Sequence, residues 1–303
     1  MPTDAEIRLQ RARTALEGLS VGDALGEAAM RSHYLWEAGT SRGRFSFTDD
    51  TNMALSVYAI LREHGTIDQS ALAASFARYF DIRRGYGGGV QRLLRLIGQG
   101  ADWRSQSRAM FGGSGSFGNG AAMRVAPLGA YFAEDLYTIQ EQAERSAVIT
   151  HSHEEGIAGA VAVAVAAGIA WQLREDDQRP DRSAFIEMIL PYVPDSEVKS
   201  GIRRARDINP ETDVSAAAGM LGNGSQISAM DTVPFTLWCA GEQLDDYAAA
   251  FHLTASVGGD VDTNCAIVGG IVASFVGQAG IPAEWINHRE PLPDWPFGDT
   301  DKA

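Results

Sequence analysis

The sequence is poor in cysteine and lacks the marks of a secreted protein. Among its 303 residues are two cysteines, Cys239 and Cys265, which form neither a metal-binding spacing nor a disulfide framework. Residues 1–10 are polar and lack the apolar core of a secretory signal peptide. From these absences we expect a protein of the reducing cytoplasm.

Positive charge is also scarce. The chain has 25 Lys and Arg residues against 39 Asp and Glu residues, which gives a net charge of −14. Such a surface repels nucleic-acid backbones and anionic lipids, so neither is expected as the main partner. A local site for a phosphorylated small molecule remains compatible with this charge.

The alternating pattern of a half-buried strand is missing over any useful length, and no repeat of fixed period is present. Apolar residues instead recur at helical spacing, as in segments 5–19, 52–64 and 69–79. No linker divides the chain. The sequence therefore predicts a single compact all-α domain of many orthogonally packed helices over residues 1–303, with 281–303 as an extended C-terminal tail.

One uncharged segment, 156–173, is long enough to span a bilayer. It consists mostly of Ala, Gly and Val, which gives only a weak drive for membrane insertion. We interpret it as a fully buried core helix, and we expect no membrane attachment.

Residues 47–51 read Phe-Thr-Asp-Asp-Thr and precede an apolar pattern with helical spacing. Asp and Thr at such a position are typical helix N-caps, but one acid is enough for a cap. Two acids flanked by hydroxyls form an oxygen cluster suited to a hard cation such as Mg²⁺ or Mn²⁺. Both interpretations stay open for this segment considered by itself.

A matching segment, 258–264, reads Gly-Gly-Asp-Val-Asp-Thr-Asn and precedes another apolar helix. A helix cap is again the alternative. If the two segments converge, four carboxylates meet, and two like charges about 4 Å apart repel by about 4 kcal/mol at an effective dielectric constant near 20. Two divalent cations balance four carboxylates, so the pair of segments indicates a two-metal site.

Seven short motifs follow one another in order along the chain. They are GDALG at 22–26, FTDDT at 47–51, GYG at 85–87, SFGNG at 116–120 with MR at 123–124, TH at 150–151, LGNG at 221–224 and GDVDT at 259–263. Together they resemble the ADP-ribosylglycohydrolase family, which includes the dinitrogenase-reductase-activating glycohydrolases and the ADP-ribosyl-acceptor hydrolases. The resemblance implies an all-α domain, a cleft with two Mg²⁺ or Mn²⁺ ions, and hydrolysis of the bond between ADP-ribose and an acceptor.

The resemblance also implies roles for the acidic residues. The metal ligands it gives are Thr48, Asp49, Asp50, Asp260, Asp262 and Thr263. Asp49 and Asp262 are taken as catalytic as well, and Asp23 is expected to orient the ligands from behind. The family usually has Thr where Val261 stands, and we expect little effect because this position lies between ligands.

The glycine-rich segment 111–120 is either a flexible connector or an anion site, since glycines let backbone N–H groups converge on a phosphate. The resemblance implies a substrate site. Its substrate-binding residues would be Tyr86, Gly88, Phe111, Gly115, Ser116, Phe117, Asn119 and His151. The aromatic residues are candidates to stack on adenine or ribose, although core packing is the commoner role of aromatic side chains. Arg124 is expected to form an ion pair with an acid, in the site or elsewhere.

The sequence departs from the family pattern close to Glu27. Many relatives carry a glutamate where this chain has Met30. Positions three apart lie on the same face of a helix, so Glu27 is the candidate to polarise the attacking water or protonate the leaving group. If Glu27 does not reach the site, the chain binds ADP-ribose and cleaves slowly or not at all.

The working hypothesis is a metal-dependent hydrolase that removes ADP-ribose from an arginine or serine side chain of a modified protein, or from a related conjugate. The alternatives are a catalytically weak ADP-ribose-binding module and a metal-dependent nucleotide phosphoester hydrolase, since paired metals suit both hydrolyses. A nucleic-acid end or an acetyl ester also remains possible as the acceptor. Mg²⁺ and Mn²⁺ remain alternatives, and we expect a monomer.

Overall fold

The computed structural model describes residues 2–32 and 44–298. Over these ranges the chain forms α1 (Asp4–Ser32), α2 (Asp49–His64), α3 (Gln69–Arg78), α4 (Gly88–Gly98), α5 (Trp103–Ala109), α6 (Ala126–Tyr131), α7 (Leu136–Ala147), α8 (Glu154–Glu175), α9 (Arg182–Ile189), α10 (Glu197–Asp207), α11 (Val214–Leu221), α12 (Ala229–Glu242), α13 (Tyr247–Ala255), α14 (Val261–Val276) and α15 (Ala283–His288). The described residues contain no strand, only two isolated β-bridges. The predicted all-α class is confirmed.

Helices α1 and α14 pack backbone to backbone at the centre of the domain. Gly18, Gly22 and Gly26 follow one another at four-residue spacing, so they lie on one face of α1. A Cβ atom on Gly22 would lie 2.1 Å from the Cys265 carbonyl oxygen, and one on Gly26 would lie 2.8 Å from the Val261 carbonyl oxygen. Only glycine allows this approach, which brings the middle of α1 against the start of α14.

Helix α8 forms the other main element of the core. It is long and apolar enough to cross a membrane by length and composition, but 89% of its 18-residue apolar window is buried inside the protein. Small residues allow α8 to pack closely on α6. A Cβ atom on Gly129 of α6 would lie 1.9 Å from the carbonyl oxygen of Ala164 on α8. The interpretation of this segment as a buried core helix is confirmed.

The structure corrects several predicted helix boundaries. Helix α1 continues beyond residue 19 to Ser32, and α14 begins at Val261, inside the acidic segment 258–264 that was expected to precede it. Helices α5 and α11 are short, and an aspartate caps the start of each. Asp102 accepts a hydrogen bond from the Ser105 N–H at 3.0 Å, and Asp213 caps α11 in the same way. Short helices of this kind carry too little apolar periodicity to be seen in the sequence.

The C-terminal segment crosses back over the first acidic segment. After α15, the backbone pairs with Phe45, whose N–H donates to the His288 carbonyl at 2.7 Å and whose carbonyl accepts from the Glu290 N–H at 2.9 Å. Farther on, Trp295 stacks on Tyr79 with ring centroids 3.6 Å apart. Residues 299–303 of the predicted tail lie outside the described residues.

Candidate metal centre and substrate cleft

Asp23, on α1, holds the first acidic segment from behind. Its carboxylate accepts hydrogen bonds from the Thr48 N–H at 3.0 Å and hydroxyl at 2.8 Å, and from the Thr51 N–H at 3.0 Å and hydroxyl at 2.5 Å. All three side chains are buried. These contacts fix the first turn of α2, at which Thr48 is the N-cap.

The close packing of α1 on α14 brings the two acidic segments together. Carboxylate oxygens of Asp23, Asp50 and Asp262 lie within 4.8 Å of one another. Within residues 2–32 and 44–298, one oxygen of Asp50 and one of Asp262 are buried without a hydrogen-bond partner. An orphaned carboxylate oxygen is costly to bury, and a hard cation with oxygen ligands would satisfy both atoms.

The acidic cluster raises the pKa of its own members. Burial, followed by repulsion from Asp23, raises the pKa of Asp49 to about 7. Burial raises the pKa of Asp23 to about 6 and, with the neighbouring acids, holds the pKa values of Asp50 and Asp262 well above the ordinary range. Such a cluster takes up either protons or cations. Its all-oxygen donor set fits Mg²⁺ or Mn²⁺.

Five of the six predicted metal ligands line one cavity of about 480 Å³. They are Asp49, Asp50, Asp260, Asp262 and Thr263. The sixth, Thr48, lines a second cavity of about 600 Å³ that shares Asp262 and Gly85 with the first. Thr48 is tied to the same cluster through its hydroxyl, which lies 2.8 Å from an oxygen of Asp50.

The other wall of the first cavity contains most of the predicted substrate-binding residues. These are Gly88, Phe111, Ser116, Phe117, Asn119 and His151. The side-chain amide of Asn119 is committed to the metal side, because it donates to Asp260 at 2.7 Å and to the Thr232 hydroxyl at 3.0 Å. Asn119 therefore joins the glycine-rich loop to the second acidic segment.

Two predicted substrate-binding residues lie behind the cavity wall. Tyr86 is 3% exposed; its hydroxyl accepts a hydrogen bond from the Asn52 amide at 2.7 Å, and its ring meets Phe80 edge-on. Gly115 adopts φ +75°, and a Cβ atom there would lie 2.4 Å from the Ser152 hydroxyl. Both residues shape the loops of the cavity and do not line it.

The rim of the cavity combines exposed apolar side chains with unusual backbone. Phe111 is 62% and Phe117 42% exposed, with ring centroids 6.3 Å apart, and Ile227 is 63% exposed. Phe111 and Ile227 have φ of +51° and +53°, the left-handed region that costs a non-glycine residue about 1–3 kcal/mol. Such strain is typical of binding sites.

Gln226 and Ile227 also line the cavity, although neither was among the predicted site residues. They follow the motif at 221–224, and the glycines there are the one sequence signal for a special loop conformation. The position of the loop depends on contacts between distant segments: the Asn223 carbonyl accepts hydrogen bonds from the Asp260 N–H at 3.2 Å and from the Asn264 side-chain amide at 2.7 Å.

Arg124 does not form the expected ion pair. It is fully buried, and its guanidinium donates to the Thr150 hydroxyl and to the Ser146 carbonyl, each at 2.9 Å, and lies over the Phe76 ring. Burial lowers its pKa to about 9. The prediction of an acidic partner was wrong within the described part of the chain, because the oxygens that accept hydrogen bonds from Arg124 there belong to a threonine and a backbone carbonyl.

Glu27 lies half-buried on α1, one helical turn after Asp23. It lines the second cavity, together with Thr48, Asp262 and Glu290. Met30 is 40% exposed. The candidate base thus approaches the acidic cluster through Asp262, from a cavity different from that of the glycine-rich loop.

Comparison with known proteins points to one family. The family model described as ADP-ribosylglycohydrolase matches residues 4–300. ADP-ribosylhydrolase ARH3 of Homo sapiens is 28% identical over 273 residues, which cover 79% of this chain and 73% of the relative. An uncharacterized protein of Archaeoglobus fulgidus is 31% identical over 296 residues, 91% of this chain and 90% of the relative.

Two further similarities fit the same picture. ADP-ribosylarginine hydrolase Tri1 of Pseudomonas putida is 24% identical over 302 residues, which cover 93% of this chain and 74% of the relative. A solved structure titled ADP-ribosylglycohydrolase-related protein complex has a TM-score of 0.67 and 23% identity, and the match covers 94% of this chain and 93% of that one; it supports the fold. With its acidic cluster and glycine-rich cleft, the chain belongs to the ADP-ribosylglycohydrolase family, a family of hydrolases that act on ADP-ribosyl conjugates.

Proposed function

We propose that this protein is a metal-dependent hydrolase that removes ADP-ribose from arginine or serine side chains of modified proteins, or from a related conjugate. The observation that carries the proposal is the pair of orphaned, buried oxygens of Asp50 and Asp262 at a cavity whose opposite wall is a glycine-rich loop. The two free, buried cysteines support action in the cytoplasm. Action as a monomer is part of the same proposal.

The acidic end of the cavity would hold two Mg²⁺ or Mn²⁺ ions. Their ligands would come from the set Thr48, Asp49, Asp50, Asp260, Asp262 and Thr263. When bound, the ions would supply Lewis-acid chemistry at the hydroxyls of the ribose distal to adenine. The chain's own part is to keep these oxygens convergent, through Asp23 on one segment and Asn119 on the other.

The glycine-rich end would bind the rest of ADP-ribose. The hydroxyl of Ser116 and the backbone N–H groups of loop 115–120 are suited to a diphosphate. Phe111 and Phe117 lie exposed at the rim, where a stacked adenine would cover apolar surface. These contacts lie far from the bond that is broken, and the binding energy they supply can position that bond for cleavage.

Cleavage of an ADP-ribosyl bond passes through an oxocarbenium-like state, as in glycoside hydrolysis generally. A water beside the anomeric carbon and a protonated leaving group are needed. Glu27 is the proposed acid or base, since it lines the second cavity with Asp262. Asp49 and Asp262 would orient the water and the ribose.

The experiment is incubation with Mg²⁺ or Mn²⁺ and peptides that carry ADP-ribose on arginine or on serine. Release of free ADP-ribose supports the proposal, and the preferred peptide and ion identify the linkage and the metal. Asp262→Asn should abolish release, with Glu284→Gln, an exposed acid on α15, as a control of unchanged activity. Release of AMP or phosphate would instead identify a phosphoester hydrolase.

One observation favours a second candidate, a binding module that cleaves slowly. Glu27 faces a cavity different from the one that the glycine-rich loop lines, and the family's usual glutamate position carries Met30. Tight ADP-ribose binding without turnover would establish this candidate. Met30→Glu should then restore turnover, because it places a carboxylate where many relatives have one.

A further inference from the structure

Three buried side chains, Arg124, Thr150 and His151, form a hydrogen-bonded network that leads from the core to the cavity wall. The Arg124 guanidinium donates to the Thr150 hydroxyl at 2.9 Å, and the Thr150 oxygen lies 2.7 Å from Nδ1 of His151. Arg124 and Thr150 are fully buried and His151 is 3% exposed. Of these three residues, His151 lines the cavity.

The hydrogen atoms of this network can be placed by elimination. A guanidinium only donates, so the Thr150 oxygen accepts from Arg124 and its own hydrogen must go elsewhere. Among the described residues, Nδ1 of His151 is the remaining hydrogen-bond partner of that buried oxygen. A buried hydroxyl hydrogen without an acceptor is costly, so Thr150 donates to Nδ1. The ring hydrogen of a neutral His151 then lies on Nε2.

The ring is neutral because of its surroundings. Burial and the nearby positive charge of Arg124 lower the pKa of His151 to about 3. Neutrality leaves two tautomers, and Thr150 selects one of them.

The Nε2 atom faces the glycine-rich loop. A Cβ atom on Gly118 would lie 3.2 Å from Nε2, and one on Gly120 would lie 3.1 Å from it. Within residues 2–32 and 44–298, Nε2 has no hydrogen-bond partner. The two glycines therefore leave open a space at the cavity wall, into which one N–H group is directed.

We propose that Arg124 and Thr150 are positioning residues that fix His151 as its neutral Nε2–H tautomer, so that the ring donates one hydrogen bond to an oxygen of bound ADP-ribose. The ligand part of this proposal rests on the proposed function; the tautomer part does not. A neutral donor holds the ligand equally well across the physiological pH range, which a titrating imidazole would not do.

The first test uses the unaltered protein. The ¹⁵N resonances of the His151 ring, assigned with a His151→Gln sample, should report a neutral Nε2–H tautomer that stays the same from pH 5.5 to pH 8. Addition of ADP-ribose should shift the Nε2–H resonances. A protonated Nδ1, or an Nε2–H signal unmoved by bound ADP-ribose, would overturn the proposal.

The second test uses matched threonine variants. Thr150→Val should release the tautomer and weaken ADP-ribose binding about tenfold, whereas Thr150→Ser should restore both. Thr236→Val is the control, because that threonine is equally buried but bonds its own helix at Val233. A Thr150→Val protein that keeps the tautomer or the affinity would contradict the proposal. Failure of the unaltered protein to bind ADP-ribose would instead contradict the proposed function, with the tautomer still measurable.

Discussion

Glu290 accepts a hydrogen bond from the backbone N–H of Phe47 at 2.9 Å, although 243 residues separate the two in sequence. Glu290 also forms an ion pair with Arg84. Arg84 in turn donates to the Phe47 carbonyl at 2.7 Å and lies over the Phe47 ring. The C-terminal segment thus holds the N–H of the residue that precedes Thr48 directly, and it holds the carbonyl of that residue through Arg84.

Loss of this clamp should weaken metal binding without unfolding the protein. Glu290→Ala frees the Phe47 N–H, so the first acidic segment becomes less ordered, and we expect about tenfold weaker Mn²⁺ affinity by calorimetry. Glu290→Gln keeps an acceptor oxygen and should have a smaller effect. Glu284→Ala, on an exposed position of α15, is the control. Equal affinity of the Glu290→Ala and unaltered proteins would show that the clamp has no part in the site.

The acidic cluster should destabilise the metal-free protein, and metal binding should stabilise it. Asp262→Asn removes one buried like charge, so in EDTA the variant should be more stable than the unaltered protein by about 1 kcal/mol or more. Mn²⁺ at about 100 times its dissociation constant should stabilise the unaltered protein by about 2.7 kcal/mol and leave the variant unchanged. Urea unfolding with and without the ion measures both effects. A variant less stable than the unaltered protein in EDTA would contradict this account.

The all-α class and both acidic segments could be predicted from the sequence because their signals are local. Helical periodicity and paired acids at a helix start are visible within about ten residues. Their convergence was implied by the resemblance, and the charge argument gave its consequence, the need for cations. The helical pattern was followed only to residue 19, because glycine disfavours helices in isolation, whereas packing on α14 extends α1 through residues 22–26.

The remaining parts of the site depend on contacts between segments far apart in sequence. The sequence does not show that Tyr86 points into the core towards Asn52, nor that Gln226 and Ile227 reach the cavity. The Arg124 prediction failed for the same reason: a buried arginine suggests an acid, but its partners are set by how α7 packs.

Phe111 combines an exposed ring with a left-handed backbone, and the two features can be separated by mutation. Asn tolerates φ near +51° better than Phe. Phe111→Asn should therefore fold at least as stably, while ADP-ribose affinity should fall about three- to tenfold through loss of stacking. Tyr137→Asn, at an aromatic residue 74% exposed outside the cavity, should leave affinity unchanged. Unaltered affinity of Phe111→Asn, measured by fluorescence titration, would remove the ring from the binding site.

His151 should make a pH-dependent contribution to stability. Its pKa is lowered from 6.5 to about 3 in the folded protein, so below pH 6.5 the unfolded chain binds a proton there that the folded chain does not. Protonation of this residue in the unfolded chain therefore leaves the free energy of unfolding unchanged above pH 6.5. Below pH 6.5 it lowers the free energy of unfolding by about 1.4 kcal/mol per pH unit. His151→Gln lacks this proton. The stability advantage of the unaltered protein over the variant should shrink by about 2 kcal/mol between pH 7 and pH 5. Urea unfolding in EDTA measures it, and a constant difference would mean that the folded pKa is not lowered.

The glycine face of α1 predicts a sharp contrast between two Gly→Ala substitutions. Ala at position 22 would place its Cβ 2.1 Å from the Cys265 carbonyl oxygen, so α1 and α14 must separate, at about 3 kcal/mol or more. Gly219, on α11, has open space within 4 Å of a Cβ atom, and Gly219→Ala should stabilise the protein by about 0.5–1 kcal/mol because alanine favours helices. Separation of the helices also moves Asp23 from Asp262, so Gly22→Ala should weaken Mn²⁺ binding while Gly219→Ala leaves it unchanged. If Gly22→Ala kept full metal affinity in the folded protein, the contact of α1 with α14 would not be what brings the two acidic segments together.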